Sequence, residues 1–414
     1  MLASLRRQLG LLGRAPSFRL LFLSTFASGL GTWLAVIALT VDVYARTDHS
    51  AKWVSALLIA DFLPAILIGL FLGPLVDRFS RKLLMVGADV VRLAVFCALP
   101  FADSPGAIVG LAAVAGVATG FFQPAVYAGL PNLVAEEDLA GANALRRSTD
   151  YVTTILGTLA GGIVTSASGP HLAYWVNAAS FLLSTLLLVR IPGRLLEPPE
   201  GPRRGHWREL AEGYRVVRRS RPLVLVLVAW TGASLAMGLI NVSEIALAQD
   251  SFNAGRFGFG LLWSASGIGL AAGSFTAASW LERRGMRFVY VAAIALLAIG
   301  TGGAAASPNV WVAVWCVLVG GLGNGAGVVY TGLLVQRGAP EEVRGRAFTL
   351  LMGSTYAVLG LGMIVGGPLT DAVGARWAYA LAAGVCGVAA VSAQVLARGL
   401  PRETVQAEPL PKPV

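Results

Sequence analysis

The sequence has little charge, and this scarcity narrows the fold before any motif is considered. Charged residues make up 13% of the 414 residues and hydrophobic residues 56%, whereas soluble domains usually carry about 25% charged residues. Between residues 18 and 396 lie about a dozen apolar stretches of roughly 20 residues, each long enough to cross a bilayer as a helix. Because lipid cannot hydrogen-bond to an exposed backbone, these stretches predict an all-α integral membrane protein.

Residues that usually build catalytic and metal sites are also scarce. The three cysteines, Cys97, Cys316 and Cys386, lie inside apolar stretches, and the three histidines fall in predicted loops without metal-ligand spacing. The chain has no G-x-x-x-x-G-K-[ST] sequence for an ATPase and no Ser/His/Asp set at a shared depth. We therefore expect no metal, no cofactor and no enzymatic activity.

The net charge of +10 is distributed unevenly between the loops. Arginine and lysine crowd alternate connections, such as those after residues 77, 189 and 282, while the opposite loops hold few. This asymmetry follows the positive-inside rule and predicts that both termini are cytoplasmic. It also explains the basic balance without a nucleic-acid partner. Arg greatly outnumbers Lys, and both Ala and Gly are abundant, so we expect the protein to lie in a bacterial inner membrane. We also expect the N-terminal segment to be retained.

An internal repeat divides the chain into two halves. A shift of about 204 residues pairs Tyr127-Ala128-Gly129 with Tyr330-Thr331-Gly332, and Gly161-Gly162 with Gly366-Gly367. Duplications of this kind place a substrate site at mid-membrane between the repeats. We predict twelve transmembrane helices, arranged as two six-helix bundles related by a pseudo-twofold axis.

The predicted ranges follow from the apolar stretches. The helices are expected at about 18–44, 53–76, 83–102, 106–134, 144–168, 171–191, 222–248, 257–281, 287–305, 308–335, 346–371 and 375–397. The domains are expected to be an N-terminal bundle at 1–191, a cytoplasmic linker at 192–221, a C-terminal bundle at 222–398 and a cytoplasmic tail at 399–414. Within the linker, Trp207 to Arg219 reads as an amphipathic helix on anionic lipid.

The connection after the second helix carries the most specific sequence, GPLVDRFSRK at residues 73–82. It resembles the G-x-L-x-D-R-x-G-R-K signature of the major facilitator superfamily, with Ser80 in place of the second glycine. The resemblance covers nearly the whole chain and implies the major facilitator fold and alternating access.

The same sequence predicts a conformational latch. A glycine allows close helix approach, a carboxylate favours the positive N-terminus of a helix, and the cations reach carboxylates and lipid phosphates. The family resemblance implies that the aspartate docks near Gly345 and Arg346, at the start of the eleventh helix, in the outward-facing state. The latch residues are Gly73, Asp77, Arg78, Arg81 and Lys82.

Further short sequences narrow the resemblance to one branch. Phe18-Arg19, Gly31-Thr32-Trp33 and the segment 130–145 are similar to the macrolide-efflux and enterobactin-exporter branch. That branch exports drugs, antibiotics and siderophores, typically in exchange for protons. The antiporter motif of the fifth helix, G-P-x-x-G-G in many relatives, reads GTLAGG at residues 157–162 and lacks the proline.

The sequence therefore favours a secondary active transporter that exports a small molecule by proton-coupled alternating access. Its expected partners are that small molecule, protons and membrane lipid, and the family expectation is a monomer. An uptake symporter for a small metabolite is the alternative, since the direction of transport cannot be read from sequence. A receptor or scaffold without transport is a more remote alternative.

Ionisable residues inside the helices are few, and each is expensive in lipid. Asp61 lies near the middle of the second helix, three residues before Pro64. It is the preferred candidate for proton coupling or substrate binding, and the alternative is a structural hydrogen bond. Asp42 and Glu244 lie near the external ends of helices 1 and 7, 202 residues apart. They are further candidates, with helix packing as the alternative.

Two groups complete the predicted site. Asp89 with Arg92 and Arg146 with Asp150 have helical spacing for ion pairs, and we interpret these four as a structural cytoplasmic charge network rather than a proton relay. A second group could line the cavity, although packing or interhelical hydrogen bonding is an alternative for each member. It comprises Gln123, Tyr127, Asn241, Asn324, Tyr330 and Trp33.

Overall fold

The structure is a computed structural model, and it describes residues 10–71, 79–197, 214–215, 217–218 and 220–398. Within these residues the chain forms twelve helices long and apolar enough to cross a membrane, and no strand. The predicted all-α, twelve-helix membrane fold is confirmed. Most of the predicted linker helix, the whole tail, and Gly73, Asp77 and Arg78 lie outside the described residues.

The helices are numbered in chain order. They are α1 (Pro16–Arg46), α2 (Ala51–Phe71), α3 (Arg81–Ala98), α4 (Pro105–Gly129), α5 (Leu139–Ser168), α6 (Pro170–Val189), α7 (Arg221–Ala246), α8 (Gly255–Arg284), α9 (Met286–Ala306), α10 (Val310–Gly338), α11 (Glu341–Val373) and α12 (Ala375–Arg398).

The observed bounds differ from the predicted ones mainly where a helix continues beyond its apolar stretch. α5 begins at Leu139 and α11 at Glu341, each five residues before its predicted start. In α11 the added residues are the polar sequence EEVRG, which hydropathy does not detect, whereas in α5 they are LAGAN, a short segment at the end of a polar connection. α4 ends earlier than predicted, at Gly129, and a 3-10 turn at 130–132 follows. Pro131 lies in that turn and has no backbone N–H with which to continue the helix.

Short polar and glycine positions fix where neighbouring helices begin. The Ser104 hydroxyl accepts a hydrogen bond from the Ala107 amide and caps α4, and the Asn309 side chain caps α10 in the same way from Val312. Gly169 joins α5 to α6 with a φ of 76°. A positive φ of this kind favours glycine because a Cβ would clash.

The described chain forms two compact units. The first comprises residues up to 202 together with 255–264, and the second comprises 203–254 and 265–414. In the first unit, buried aromatic residues such as Phe96, Tyr174 and Phe181 pack among α1, α3, α4 and α6. In the second, Trp230, Tyr290 and Tyr330 belong to a single buried cluster from α7 to α12. Each unit therefore has its own apolar core.

In the first unit, α2 and α4 approach closely at Gly116. A Cβ at this position would lie 2.2 Å from the carbonyl oxygen of Asp61 and 3.0 Å from that of Ala60. The approach is possible only because glycine lacks a side chain, as at many membrane helix interfaces. It fixes the backbone that carries Asp61.

We expect Gly116→Ala to destabilise the protein, because the added methyl group would overlap the α2 backbone. Overpacking of this kind typically costs about 1–3 kcal/mol. Gly110 is the matched control, since it lies on the same helix and a methyl group added there would meet no atom within 4 Å. Gly110→Ala should be neutral or stabilising by up to about 1 kcal/mol. Unfolding of the purified variants in detergent measures both, and equal stabilities would contradict the close contact.

Candidate functional site

The described part of the first unit contains a partly enclosed cavity of about 250 Å³. Aromatic and aliphatic side chains form part of its wall, including Trp33, Phe62 and Phe122. The rest is polar, and it combines hydroxyl groups, one amide and charges of both signs. The polar residues are Thr25, Ser28, Thr32, Asp61, Arg92, Thr119, Gln123, Arg146, Asp150 and Thr153.

Asp61 lies in this wall, on α2, three residues before Pro64, through which the helix continues. Among the described residues, its carboxyl group makes no hydrogen bond and no ion pair. The positive charge of Arg92 interacts electrostatically with this carboxyl group without bonding to it. A carboxyl group that faces a cavity without a bonded cation can exchange a proton or accept a hydrogen bond from a bound molecule.

Asp89 and Arg92 form a buried ion pair on α3. The other Asp89 oxygen accepts a hydrogen bond from Ser184 of α6 at 2.5 Å, and Ser184 is in turn 2.8 Å from Ser24 of α1. Asp89 is therefore compensated by Arg92 of its own helix and by Ser184 of α6, which Ser24 of α1 contacts in turn, and it does not line the cavity. Its role here is to hold the Arg92 guanidinium at the cavity wall.

The Arg92 guanidinium lies between two aromatic rings. Its central carbon is 4.3 Å from the Phe122 ring centroid and 4.5 Å from that of Phe181. Cation–π contacts of this kind are strongest where water is excluded. They hold the charge at the cavity wall, where it forms no ion pair with Asp61.

A second pair lies on α5. Arg146 and Asp150 are 3.6 Å apart, and the Arg146 guanidinium lies 3.9 Å from the centroid of the Tyr127 ring. Across the described residues, no hydrogen bond or ion pair joins this pair to Asp89 and Arg92. The four residues form two separate pairs that both reach the cavity wall, rather than one bonded network.

Five cavity hydroxyl groups donate their hydrogens back to their own helices. Thr32 donates to the Ser28 carbonyl at 2.7 Å, and Ser28 donates to the Ser24 carbonyl at 2.9 Å. Thr25, Thr119 and Thr153 follow the same pattern at 2.9 to 3.0 Å. Because each hydrogen is used, the oxygen lone pairs remain for the cavity. These five hydroxyl groups therefore offer the cavity hydrogen-bond acceptors.

Sequence reasoning missed this hydroxyl row. Thr25, Ser28 and Thr32 recur at three- and four-residue spacing, which places them on one face of α1. That spacing was the available signal, but hydroxyl residues are so common at helix interfaces that it does not distinguish a cavity from packing.

The other acidic candidates lie elsewhere. Asp42 is buried at the end of α1, where Arg46 and the Tyr174 hydroxyl bond to its two oxygens at 2.7 and 2.9 Å. Glu244 belongs to the second unit, where it is 4% exposed and its Oε1 has no hydrogen-bond partner. Neither residue lines the cavity that contains Asp61.

The uncharged candidate residues also lie in different parts of the structure. Trp33 and Gln123 line the cavity, whereas Tyr127 packs against Arg146 beside it. In the second unit, the buried Tyr330 hydroxyl donates to the Ala277 carbonyl at 2.8 Å, which is the packing alternative.

Two further candidates remain in the second unit. Asn324 is buried with an unpartnered Oδ1, and Asn241 is partly buried on α7.

The small residues of the predicted antiporter segment contact two neighbours within the first unit. At Gly157 and Gly161 a Cβ would meet the α1 backbone at 2.7 to 2.8 Å. At Gly162 it would meet Gly260 at 3.1 Å, in the part of α8 that belongs to this unit. The Thr158 and Ser264 hydroxyls are 2.9 Å apart on the same contact.

Two latch residues fall within the described chain. Lys82 donates to the carbonyls of Val189 and Ile191, both at 2.7 Å, and so caps the C-terminal end of α6 with a positive charge. Arg81 begins α3. The sequence predicts carboxylate or lipid-phosphate partners for these cations. It does not predict the carbonyl groups at the end of α6, to which Lys82 donates.

Known proteins resemble this chain in both sequence and structure. The model of the Major Facilitator Superfamily matches residues 21–244 and 231–413. The chain is 26% identical over 378 residues to the uncharacterized MFS-type transporter YfiS of Bacillus subtilis, covering 89% of each chain. It is 28% identical over 390 residues to the enterobactin exporter EntS of Salmonella typhimurium, covering 92% of this chain and 91% of that one.

The fold is also shared with solved structures. The nucleoside transporter NupG aligns with a TM-score of 0.72 at 15% identity, covering 92% of this chain and 98% of that one. An inward-facing bacterial homologue of the iron transporter ferroportin aligns with a TM-score of 0.75 at 14% identity, again covering 92% and 98%. At these identities the likeness concerns the fold alone. The family match spans nearly the whole chain, and this twelve-helix protein belongs to the Major Facilitator Superfamily.

Proposed function

We propose that this chain exports a drug, antibiotic or siderophore-like small molecule in exchange for protons, by alternating access. The observation that carries the proposal is the cavity of the first unit, where Asp61 has no bonded cation while every other acid at or beneath the wall is paired. The similarity to enterobactin exporters supports export as the direction.

In the proposed mechanism, Asp61 is the group that interacts with both the substrate and the proton. Loss of the proton leaves a carboxylate beside the hydroxyl acceptors, and a bound molecule with N–H or O–H groups can then satisfy it. Protonation removes that charge and favours release. The two protonation states thereby favour different facings of the transporter, which is the condition for coupling.

The protein is further proposed to lie as a monomer in a bacterial inner membrane, with both termini cytoplasmic and a cytoplasmic linker between the bundles. The segment at 73–82 is proposed to stabilise the outward-open state as a latch. Within it, Lys82 contributes by holding the end of α6.

Transport in reconstituted vesicles tests the proposal, with enterobactin and a macrolide antibiotic as probes. We expect accumulation of at least one probe in vesicles with an acidic lumen, because protons leaving the lumen drive exchange. A protonophore should abolish it. Asp61→Asn should remove the dependence on the gradient, since asparagine keeps the shape of the side chain but cannot carry the proton.

Glu137→Gln is the matched control, because Glu137 is exposed on the turn Glu136–Asp138. It should transport as the unmodified protein does. Accumulation only when the external medium is acidic would identify uptake by symport instead. Probe movement that ignores the gradient and survives Asp61→Asn would contradict the proposed coupling, and movement of neither probe would contradict the proposed substrate class.

A further inference from the structure

The two units contain corresponding acid–tyrosine pairs. Asp42 of α1 and Glu244 of α7 are 202 residues apart, and Tyr174 of α6 and Tyr379 of α12 are 205 residues apart. Both offsets match the internal repeat. The two pairs can therefore be compared as variants of one arrangement.

In the first unit the carboxylate is fully compensated. Arg46, four residues after Asp42, donates to one carboxylate oxygen at 2.7 Å, and the Tyr174 hydroxyl donates to the other at 2.9 Å. Arg46 also donates to the carbonyl of Ala102 at 3.0 Å. The buried Asp42 carboxylate therefore has a cation and a hydrogen-bond donor beside it.

In the second unit the cation is missing. Ala248 stands four residues after Glu244, where the first unit has arginine. Glu244 is 4% exposed and Tyr379 is 1% exposed. The Glu244 Oε1 and the Tyr379 hydroxyl are both buried without a hydrogen-bond partner. The two residues lie on α7 and α12, which pack against each other.

The other charged groups at this end of the second unit do not supply a replacement. Arg376 of α12 donates to the carbonyls of Ala305 and Ser307 at 3.0 and 2.7 Å, and its guanidinium lies over the Phe252 ring. Asp250, after α7, and Asp371 of α11 are exposed acids. Within the described chain, no cation forms a salt bridge with Glu244.

An ionised carboxylate without a cation or hydrogen bonds is among the most costly groups to bury. The neutral acid avoids that cost. We propose that Glu244 and Tyr379 form a proton-binding site in the second unit, separate from the cavity at Asp61. Glu244 would carry the proton, and when the proton leaves, the Tyr379 hydroxyl would donate to the carboxylate as Tyr174 does to Asp42.

The site goes beyond the proposed function, because it requires no transported molecule. Its test uses the full chain in lipid without substrate, so failure of export and failure of this site are distinguishable. The readout is the infrared C=O stretching band of protonated carboxyl groups, recorded at neutral pH, where a solvated glutamate is ionised.

We expect Glu244→Gln to remove the contribution of one carboxyl group from this band. The glutamine has the shape of the protonated side chain, so the variant should fold. Asp42→Asn is the matched control and should leave the band unchanged, because Asp42 is paired with Arg46. A folded Glu244→Gln variant with an unchanged band would overturn the proposal.

The reverse substitution provides an independent test. Arg46→Ala gives Asp42 the surroundings that Glu244 has, with a tyrosine hydroxyl but no arginine. Its band should therefore gain the contribution of one carboxyl group at neutral pH. Helical circular dichroism confirms that the variant is folded, and a folded variant without this gain would show that the arginine does not set the protonation state.

Discussion

The cost of placing charge in lipid governs this structure. Each ionisable side chain inside the helices must be paired, hydrogen-bonded, neutral or open to a polar cavity. Asp89 and Asp42 are paired with arginine and hydrogen-bonded by hydroxyl groups. Asp61 and Glu244, by contrast, have no bonded cation within the described residues. The proposed chemistry is assigned to these two for that reason.

The paired and hydrogen-bonded side chains also shape the cavity. Asp89 holds Arg92 between Phe122 and Phe181, and this brings a positive charge to the wall without an ion pair to Asp61. The hydroxyl groups turn their hydrogens to their own helices and leave acceptors. The glycine at position 116 lets α4 lie against the Asp61 backbone. Helix packing and site chemistry therefore depend on the same short side chains.

The sequence was sufficient for the helices, because hydrophobic runs of bilayer length have few alternative structures. It was less informative for the site. Helical spacing indicated that Asp89 could reach Arg92, but not that Ser184 of another helix would complete the pair. The repeat related Asp42 to Glu244, and the spacing placed Arg46 four residues after the first and Ala248 four residues after the second. It could not show whether a cation from another helix would reach Glu244. Which faces of two helices meet is a tertiary property that residue types alone leave open.

Reaction with a membrane-permeant carbodiimide tests this account of charge most directly. Such reagents modify protonated carboxyl groups in apolar surroundings, and mass spectrometry of the labelled protein identifies the sites. The account predicts labelling of Asp61 and Glu244 at mildly acidic pH, with Asp42 and Asp89 unmodified. Preferential labelling of Asp42 or Asp89 would contradict it.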